Sequence, residues 1–316
     1  MSTLGLVVNP VAGTGRGSSV GRRAERLLTR AGHTVVDLSA RTPAEAAGRA
    51  RDAAPGLDAL VVVGGDGMVN LGVGVVAGTD LPLGVVAVGT GNDVARALGL
   101  PRGDVDRAVT HLDRVLRDGP RRVDAVRVTP APVTGTSPGT AAPTGAADPR
   151  WYAGVLSCGL DAAVNARANT LTWPHGHLRY LRALVPELAA FRPYGYRVDV
   201  DGTTWESTGT LVAVANTSWF GGGLPIAPDA RPDDGLLDVV LAGPFSRSGA
   251  LGIFPRIYRG RHVADPRVQV LRGRHVVVEP APELGPPPPA AFADGEHLGA
   301  LPLVVEVVTG ALRVLA

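Results

Sequence analysis

Three short segments concentrate residues suited to handling phosphate: NPVAGTGRG from Asn9, GGDGMVN from Gly64 and GTGNDVAR from Gly89. A glycine-rich turn after a strand lets backbone N–H groups approach phosphate oxygens with no Cβ in the way. A helix starting at such a turn adds the positive end of its dipole. Gly64, Gly65 and Gly67 meet the first need, and the stretch from Met68 could supply the helix. Asp66 is the odd element, because a carboxylate repels a bare triphosphate unless Mg²⁺ or ordered water lies between them. Asp66–Gly67 equally reads as a plain tight turn. Arg16 offers a bidentate fork to phosphate or is a solvated loop charge. Glu296 in ADGEHL and the Asp-Asp-Gly of RPDDGLLDV, taken alone, read as hairpin turns.

The elements that must position these residues alternate between strand and helix. LGLVVN, from Leu4, reads as a buried strand, followed by a helix over about 19–31 with Leu27, Leu28 and Ala31 inside. A strand at 34–38 precedes a helix at 43–53, with Thr42 as N-cap before Pro43. Strands at 59–63 and 83–88 lead into GGDG and GTGND. The pattern predicts a parallel sheet covered on both faces. All three glycine loops then fall on its carboxyl edge, where such sheets bind ligands.

After Leu116 the texture changes. Short β-rich segments follow, among them WYAGVLSCG, YRVDVDG, TGTLVAVANTS, GLLDVVLAG and LVVEVVTG. They predict a mainly β second domain, interrupted by a helical stretch over about 177–191 that Pro186 splits in two. Residues 130–149, low-complexity Pro, Gly, Thr and Ala, are expected to be a disordered loop. The expected domains are 1–122 and 123–302, with the last strand, about 303–316, returning to the first.

Composition narrows the chemistry. All 31 Lys-plus-Arg residues are Arg, which removes lysine Schiff-base chemistry and any phosphate loop built on a lysine. The single cysteine, Cys158, excludes an internal disulfide and reads as a buried hydrophobe. A formal net charge of +2 gives no reason to expect nucleic acid. No apolar run reaches the roughly 18 residues of a membrane span, and the N-terminus lacks a signal pattern. A soluble cytoplasmic protein is the expectation.

GGDGMVN resembles the GGDGT-x-N signature of lipid kinases related to diacylglycerol and sphingosine kinases. VGTGNDVARALGLP is similar to their GT-x-ND-x-AR block, and NPVAGTGRG to their NP-x-SG opening. ANTSWFGGGLPIAPDARPDDGLLDVVL and FADGEHL extend the resemblance over nearly the whole chain, in order. It implies an α/β domain and a β-sandwich with the nucleotide in the cleft between them. It also implies ATP and Mg²⁺, with phosphoryl transfer to a lipid hydroxyl, most directly diacylglycerol to phosphatidic acid. The implied nucleotide contacts are Asn9, Arg16, Gly64, Gly65, Asp66, Gly67, Met68, Val69, Asn70 and Thr90. The implied catalytic groups are Glu296 as proton acceptor and Asp66 across the cleft. A structural Mg²⁺ is implied at the Asp234 carboxylate and the carbonyls of Arg231 and Leu236.

The resemblance also implies a lipid substrate at a membrane surface, with peripheral binding at the inner membrane face and a homodimer as further options. Met68 departs from the family's Thr, and Ala12 from its Ser. Other acceptors remain open: a sphingoid base, another lipid, or a soluble hydroxyl compound such as NAD. So does a nucleotide-binding regulator with weakened catalysis, which Met68 favours and Glu296 opposes.

Overall fold

The computed structural model describes residues 1–9, 17–131, 149–171, 173 and 177–316, with the side chains of 17, 18, 177 and 179 left out. The expected 130–149 loop lies almost wholly outside them. The first part runs β1 (Thr3–Val8), α1 (Gly17–Arg30), β2 (Thr34–Asp37), α2 (Pro43–Ala53), β3 (Ala59–Gly64), α3 (Asp66–Val76), β4 (Leu83–Ala87), α4 (Asp93–Ala97) and α5 (Val105–Asp118). Strands β2, β1, β3 and β4 lie side by side and parallel. Alternation along β3 shows both faces covered: Leu60 and Val62 pack with α2 and α3, while Val61 and Val63 pack with α1 and α5. A strand buried on both sides has no polar face to show, hence the unbroken ALVVVG. Thr42 caps α2 as expected, accepting the Glu45 N–H at 3.2 Å.

The chain continues through β5 (Arg121–Pro130), β6 (Arg150–Tyr152), β7 (Val155–Gly159), α6 (Leu160–Thr170), α7 (His177–Ala190), β8 (Tyr194–Val200), β9 (Thr203–Gly209) and β10 (Leu211–Ala215). Then come β11 (Trp219–Phe220), β12 (Leu224–Pro225), β13 (Leu237–Ala242), α8 (Arg247–Ile257), β14 (Val268–Gly273), β15 (His275–Pro280), β16 (Ala291–Ala293), β17 (Glu296–Gly299) and β18 (Leu303–Val314). One six-stranded sheet has the order β14-β13-β10-β7-β16-β17. It packs its inner face, including Leu156, Val212 and Val239, on Val126, Val198, Val276 and Val305 of the other sheet. Strand β18 ties the two parts together: it pairs along β5 and β15, and its end places Val314 beside Leu83 of β4.

Four helices differ from the sequence reading. The 177–190 stretch is one helix: Pro186 is exposed, so water can serve the carbonyl that the proline leaves unbonded. Helices α5, α6 and α8 were not anticipated. The α6 sequence LDAAVNARANT has almost no apolar periodicity, and α8 carries Gly249, Gly252 and Pro255. Both form because they cover the outer face of the six-stranded sheet. Cys158 is fully buried on β7, and burial raises its thiol pKa.

Candidate active site

Asp66 opens α3 directly after β3, with Gly65 as N-cap. Its carboxylate serves a different helix. Oδ2 accepts the Asn92 N–H at 2.8 Å and Oδ1 the Asp93 N–H at 2.7 Å, the two leading donors of α4. Asp66 therefore caps α4 from outside, satisfying donors that a helix start leaves open. The side chains of Asn92 and Asp93 do not cap the helix they open. Asn92, at φ 56°, clamps Gly89 by accepting its N–H at 3.1 Å and donating to its carbonyl at 2.6 Å. Asp93 reaches across to the β-rich domain, where its Oδ2 accepts the Gly222 N–H at 2.7 Å. Gly221, Gly222 and Gly223 all hold positive φ, which explains a run of three glycines there.

The glycines around Asp66 make room for protein neighbours. A Cβ on Gly64 would stand 2.5 Å from Met68 Cγ, and one on Gly89 would collide with the Gly65 backbone. A Cβ on Gly91 would stand 2.6 Å from Asp66 Oδ2, and one on Gly67 would lie 2.7 Å from Glu296 Oε1. The GGDG and GTGND loops are thus packed backbone to backbone. Glu296 comes against them from the other domain.

Glu296 begins β17, one residue after a two-residue hairpin turn in which Asp294 (φ 50°) and Gly295 (φ 85°) are both left-handed. Asp294 holds the turn in place: its carboxylate accepts N–H groups from Ala153 (3.2 Å), Gly154 (3.2 Å) and Val155 (3.0 Å). Burial pushes the Asp294 carboxyl up to about 6, with the Asp66 charge adding to the rise and the three N–H groups opposing it. Burial also raises Asp66 against its backbone donors. It raises Asp93 too, where the Gly222 N–H and Arg96 pull down and Asp66 pushes up. Arg96 lies 3.8 Å from the Asp93 carboxylate and 5.4 Å from the centre of the Trp219 ring.

Asp66, Asp93 and Asp294 face one chamber, which also reaches Ser157, Asp161 and Trp219. Asp161 accepts a short hydrogen bond from Ser157 Oγ, and burial pushes its carboxyl up to about 6. Asp161, Tyr180, Phe220 and Leu224 also line a second, apolar cavity next to this chamber. This cavity lies between the outer face of the six-stranded sheet and helices α6, α7 and α8, with Val164, Leu184, Ile253 and Phe254 in its wall.

Of the residues singled out in the sequence, Asp66, Gly67 and Glu296 meet across the cleft. Gly64 and Gly65 support them, and exposed Thr90 sits in the adjoining loop. Asn9 follows β1, with its N–H bonded to the Val63 carbonyl at 3.1 Å. Asn70 Nδ2 is buried with no hydrogen-bond partner among the described residues. The side chains of Met68 and Val69, 8% and 2% exposed, fill the core beneath β3. Neither side chain faces the cleft, because the helix turns both positions inward. Arg16 lies outside the described residues. In the 231–236 loop, Asp234 Oδ1 accepts the Leu236 N–H at 3.1 Å, and Oδ2 pairs with the Arg272 guanidinium. Buried Asp124 fixes the loop through the Gly235 N–H at 2.7 Å. A cation bound by Asp234 with the carbonyls of Arg231 and Leu236 must displace Arg272 from Oδ2.

Asp93, Asp161 and Asp294 were missed as site residues. Asp294 had a local signal in the DGE turn. Asp161 had none: its own partner, Ser157, is four residues away, but the cavity walls that give it a role come from elements distant in sequence.

Residues 3–128 match the family described as the diacylglycerol kinase catalytic domain, and residues 154–316 match the YegS C-terminal NAD kinase beta sandwich-like domain. The chain belongs to the diacylglycerol kinase-like lipid kinase family. It is 36% identical over 318 residues to a diacylglycerol kinase of Mycobacterium tuberculosis (strain CDC 1551 / Oshkosh), covering 98% of this chain and 93% of the relative. The fold is similar to a diacylglycerol kinase crystal structure from Bacillus anthracis str. Sterne, with TM-score 0.67 and 18% identity over 99% of this chain and 96% of that one. It is also similar to yeast NADH kinase in complex with NADH, at TM-score 0.54 and 12% identity, covering 99% of this chain and 82% of the other. At such identities the likeness concerns architecture alone. This lipid kinase contains, among its described residues, no helix long and apolar enough to cross a membrane.

Proposed function

We propose that this kinase transfers the γ-phosphoryl group of ATP, with Mg²⁺, to the hydroxyl of a diacylglycerol-class lipid. The observation that carries the reading is the adjacency of the two cavities. A carboxylate-lined chamber at the glycine loops shares Asp161, Tyr180, Phe220 and Leu224 as walls with an apolar cavity whose lining suits an acyl chain. A soluble acceptor such as NAD makes no use of that apolar space.

Glu296 accepts the proton of the acceptor hydroxyl. Its position depends on Asp294, which ties the hairpin to Ala153, Gly154 and Val155, and on Gly67, whose missing side chain leaves Glu296 its place. Asp66 holds the GTGND loop against the GGDG loop through two N–H groups. Asp93 ties that loop to Gly222 of the other domain. On the nucleotide side, the backbone from Gly64 to Asn70, the side-chain amide of Asn70, and Asn9, Thr90 and Arg16 receive ATP. Mg²⁺ spreads and neutralises phosphate charge when it is bound. Asp93 Oδ1, buried, without a hydrogen-bond partner among the described residues and 3.8 Å from Arg96 Nε, suits an ion held by one or two carboxylates and waters. The Asp234 loop stays a candidate for a second ion. Met68 no longer favours a weakened enzyme, because its side chain lies in the core.

One observation favours a second acceptor. The Asp161 carboxylate, at the junction of the two cavities, gives the amine of a sphingoid base a partner. Turnover of ATP with diacylglycerol in mixed micelles, with a sphingoid base and with NAD distinguishes these readings. Phosphatidic acid is the expected product, and phosphorylation of NAD alone would overturn the proposal.

A further inference from the structure

Ten large hydrophobic side chains are strongly exposed among the described residues, and six of them fall in one region: Trp173, Leu178, Leu181, Val185, Leu251 and Tyr258. They lie on α7 and α8 or directly beside them. On α7, Leu178, Leu181 and Val185 recur at helical spacing and form one outward stripe. The same helix turns Tyr180, Leu184 and Leu188 into the apolar cavity, and α8 turns Ile253, Phe254 and Ile257 into it. A helix with apolar residues on both its inner and outer sides suits an apolar surrounding on both.

The charge points the same way. Residues 177–192 and 244–267 together hold eight arginines against Glu187 and Asp265, whereas the whole chain carries only +2, so the remainder is net negative. Arg182, Arg192, Arg256, Arg259 and Arg261 are all exposed. Arg182 lies 5.9 Å from the centre of the exposed Trp173 ring and donates to its carbonyl at 2.6 Å. An aromatic ring beside a cation is the usual equipment of a membrane–water interface.

We infer that the outer face of α7 and α8 docks on an anionic lipid bilayer and presents the apolar cavity to a substrate held there. The inference rests on the lipid-acceptor reading above and deepens it. The basic side chains attract anionic headgroups. The apolar stripe enters the interface, and an acyl chain reaches the cavity without crossing water.

The test is flotation of the full chain with phosphatidylcholine vesicles, with and without about 30% phosphatidylglycerol. We expect wild type to float with the anionic vesicles and to be released by salt. The triple variant Leu178→Ser, Leu181→Ser, Val185→Ser should bind at least tenfold more weakly, as should Arg259→Gln with Arg261→Gln. Both variants should turn over a monomeric short-chain diacylglycerol at the wild-type rate while losing activity on vesicles. Equal binding of wild type to neutral and anionic vesicles, or unchanged binding of the triple variant, overturns the inference. So does a change of the triple variant from dimer to monomer with vesicle binding intact, which would make this face a contact between copies. Anionic vesicle binding that both variants lose, without turnover of any diacylglycerol, supports the docking face and counts against the acceptor reading.

Discussion

Glu296 Oε1, on the β-rich domain, lies 2.7 Å from the point a Cβ on Gly67 of the α/β domain would occupy. The absence of one side chain therefore lets a carboxylate from the second domain stand at the first turn of α3. Gly67 is exposed and helical, and the atom in conflict is the end of a flexible side chain. Gly67→Ala should keep or raise the melting temperature, since alanine is favoured in a helix by up to about 1 kcal/mol. It should also lower kcat by about tenfold or more by pushing Glu296 aside. Thermal unfolding and steady-state kinetics on one preparation check both parts.

Glu296→Gln removes the proposed proton acceptor from an exposed position beside the hairpin turn. The expected result is a loss of about 10²–10⁴ in kcat with an unchanged melting temperature. Near-normal turnover would remove Glu296 from the mechanism.

Asp66→Asn should behave differently, because Asp66 is also structural. An amide offers one oxygen and one NH₂ where two backbone N–H groups now meet two carboxylate oxygens. A stability loss of about 1–3 kcal/mol is expected, together with a drop in kcat. Denaturant unfolding separates this from the Glu296 variant, and equal stability of the two would refute the capping role.

Asp161 gives a pH prediction. Its folded carboxyl sits at about 6, above the ordinary 3.8, because it is buried. The folded state therefore holds the proton more tightly than the unfolded chain. The stability linked to it is fully present below 3.8 and is lost as pH rises through about 6. Asparagine cannot ionise and can still accept from Ser157. Asp161→Asn should thus compare better with wild type at about pH 8 than at about pH 5, read as melting temperatures at each pH.

The apolar cavity can be narrowed from its wall. Ile253→Trp adds bulk on α8 without touching the carboxylate chamber. It should raise KM for long-chain diacylglycerol and leave a short-chain analogue nearly unaffected. An equal effect on both chain lengths would show that the cavity does not hold the acyl part.

The order of strands and helices in the first domain, α5 apart, was legible because each element carries its own period. ALVVVG is buried on both faces, α1 and α2 alternate by helical turns, and Thr42 caps where its spacing to Glu45 says it should. The motifs and the reach of Glu296 were also legible, through the resemblance. Helices α6 and α8 were hidden because their stability comes from the sheet and cavity they cover, and neither periodicity nor propensity marks them.

By itself, the sequence determined the residue types available for chemistry: carboxylates at 66, 93, 161, 294 and 296, glycines beside them, and no lysine. Only the tertiary structure decided what each one faces. Met68 points into the core because its place in α3 turns it inward. Gly64, Gly65 and Gly67 are glycines because Met68, Gly89 and Glu296 press against them. Asp66 holds a helix that begins 27 residues later, at Asp93. Such relationships join positions far apart in the chain, and they exist only once β3, β4 and the 294–296 hairpin have packed together.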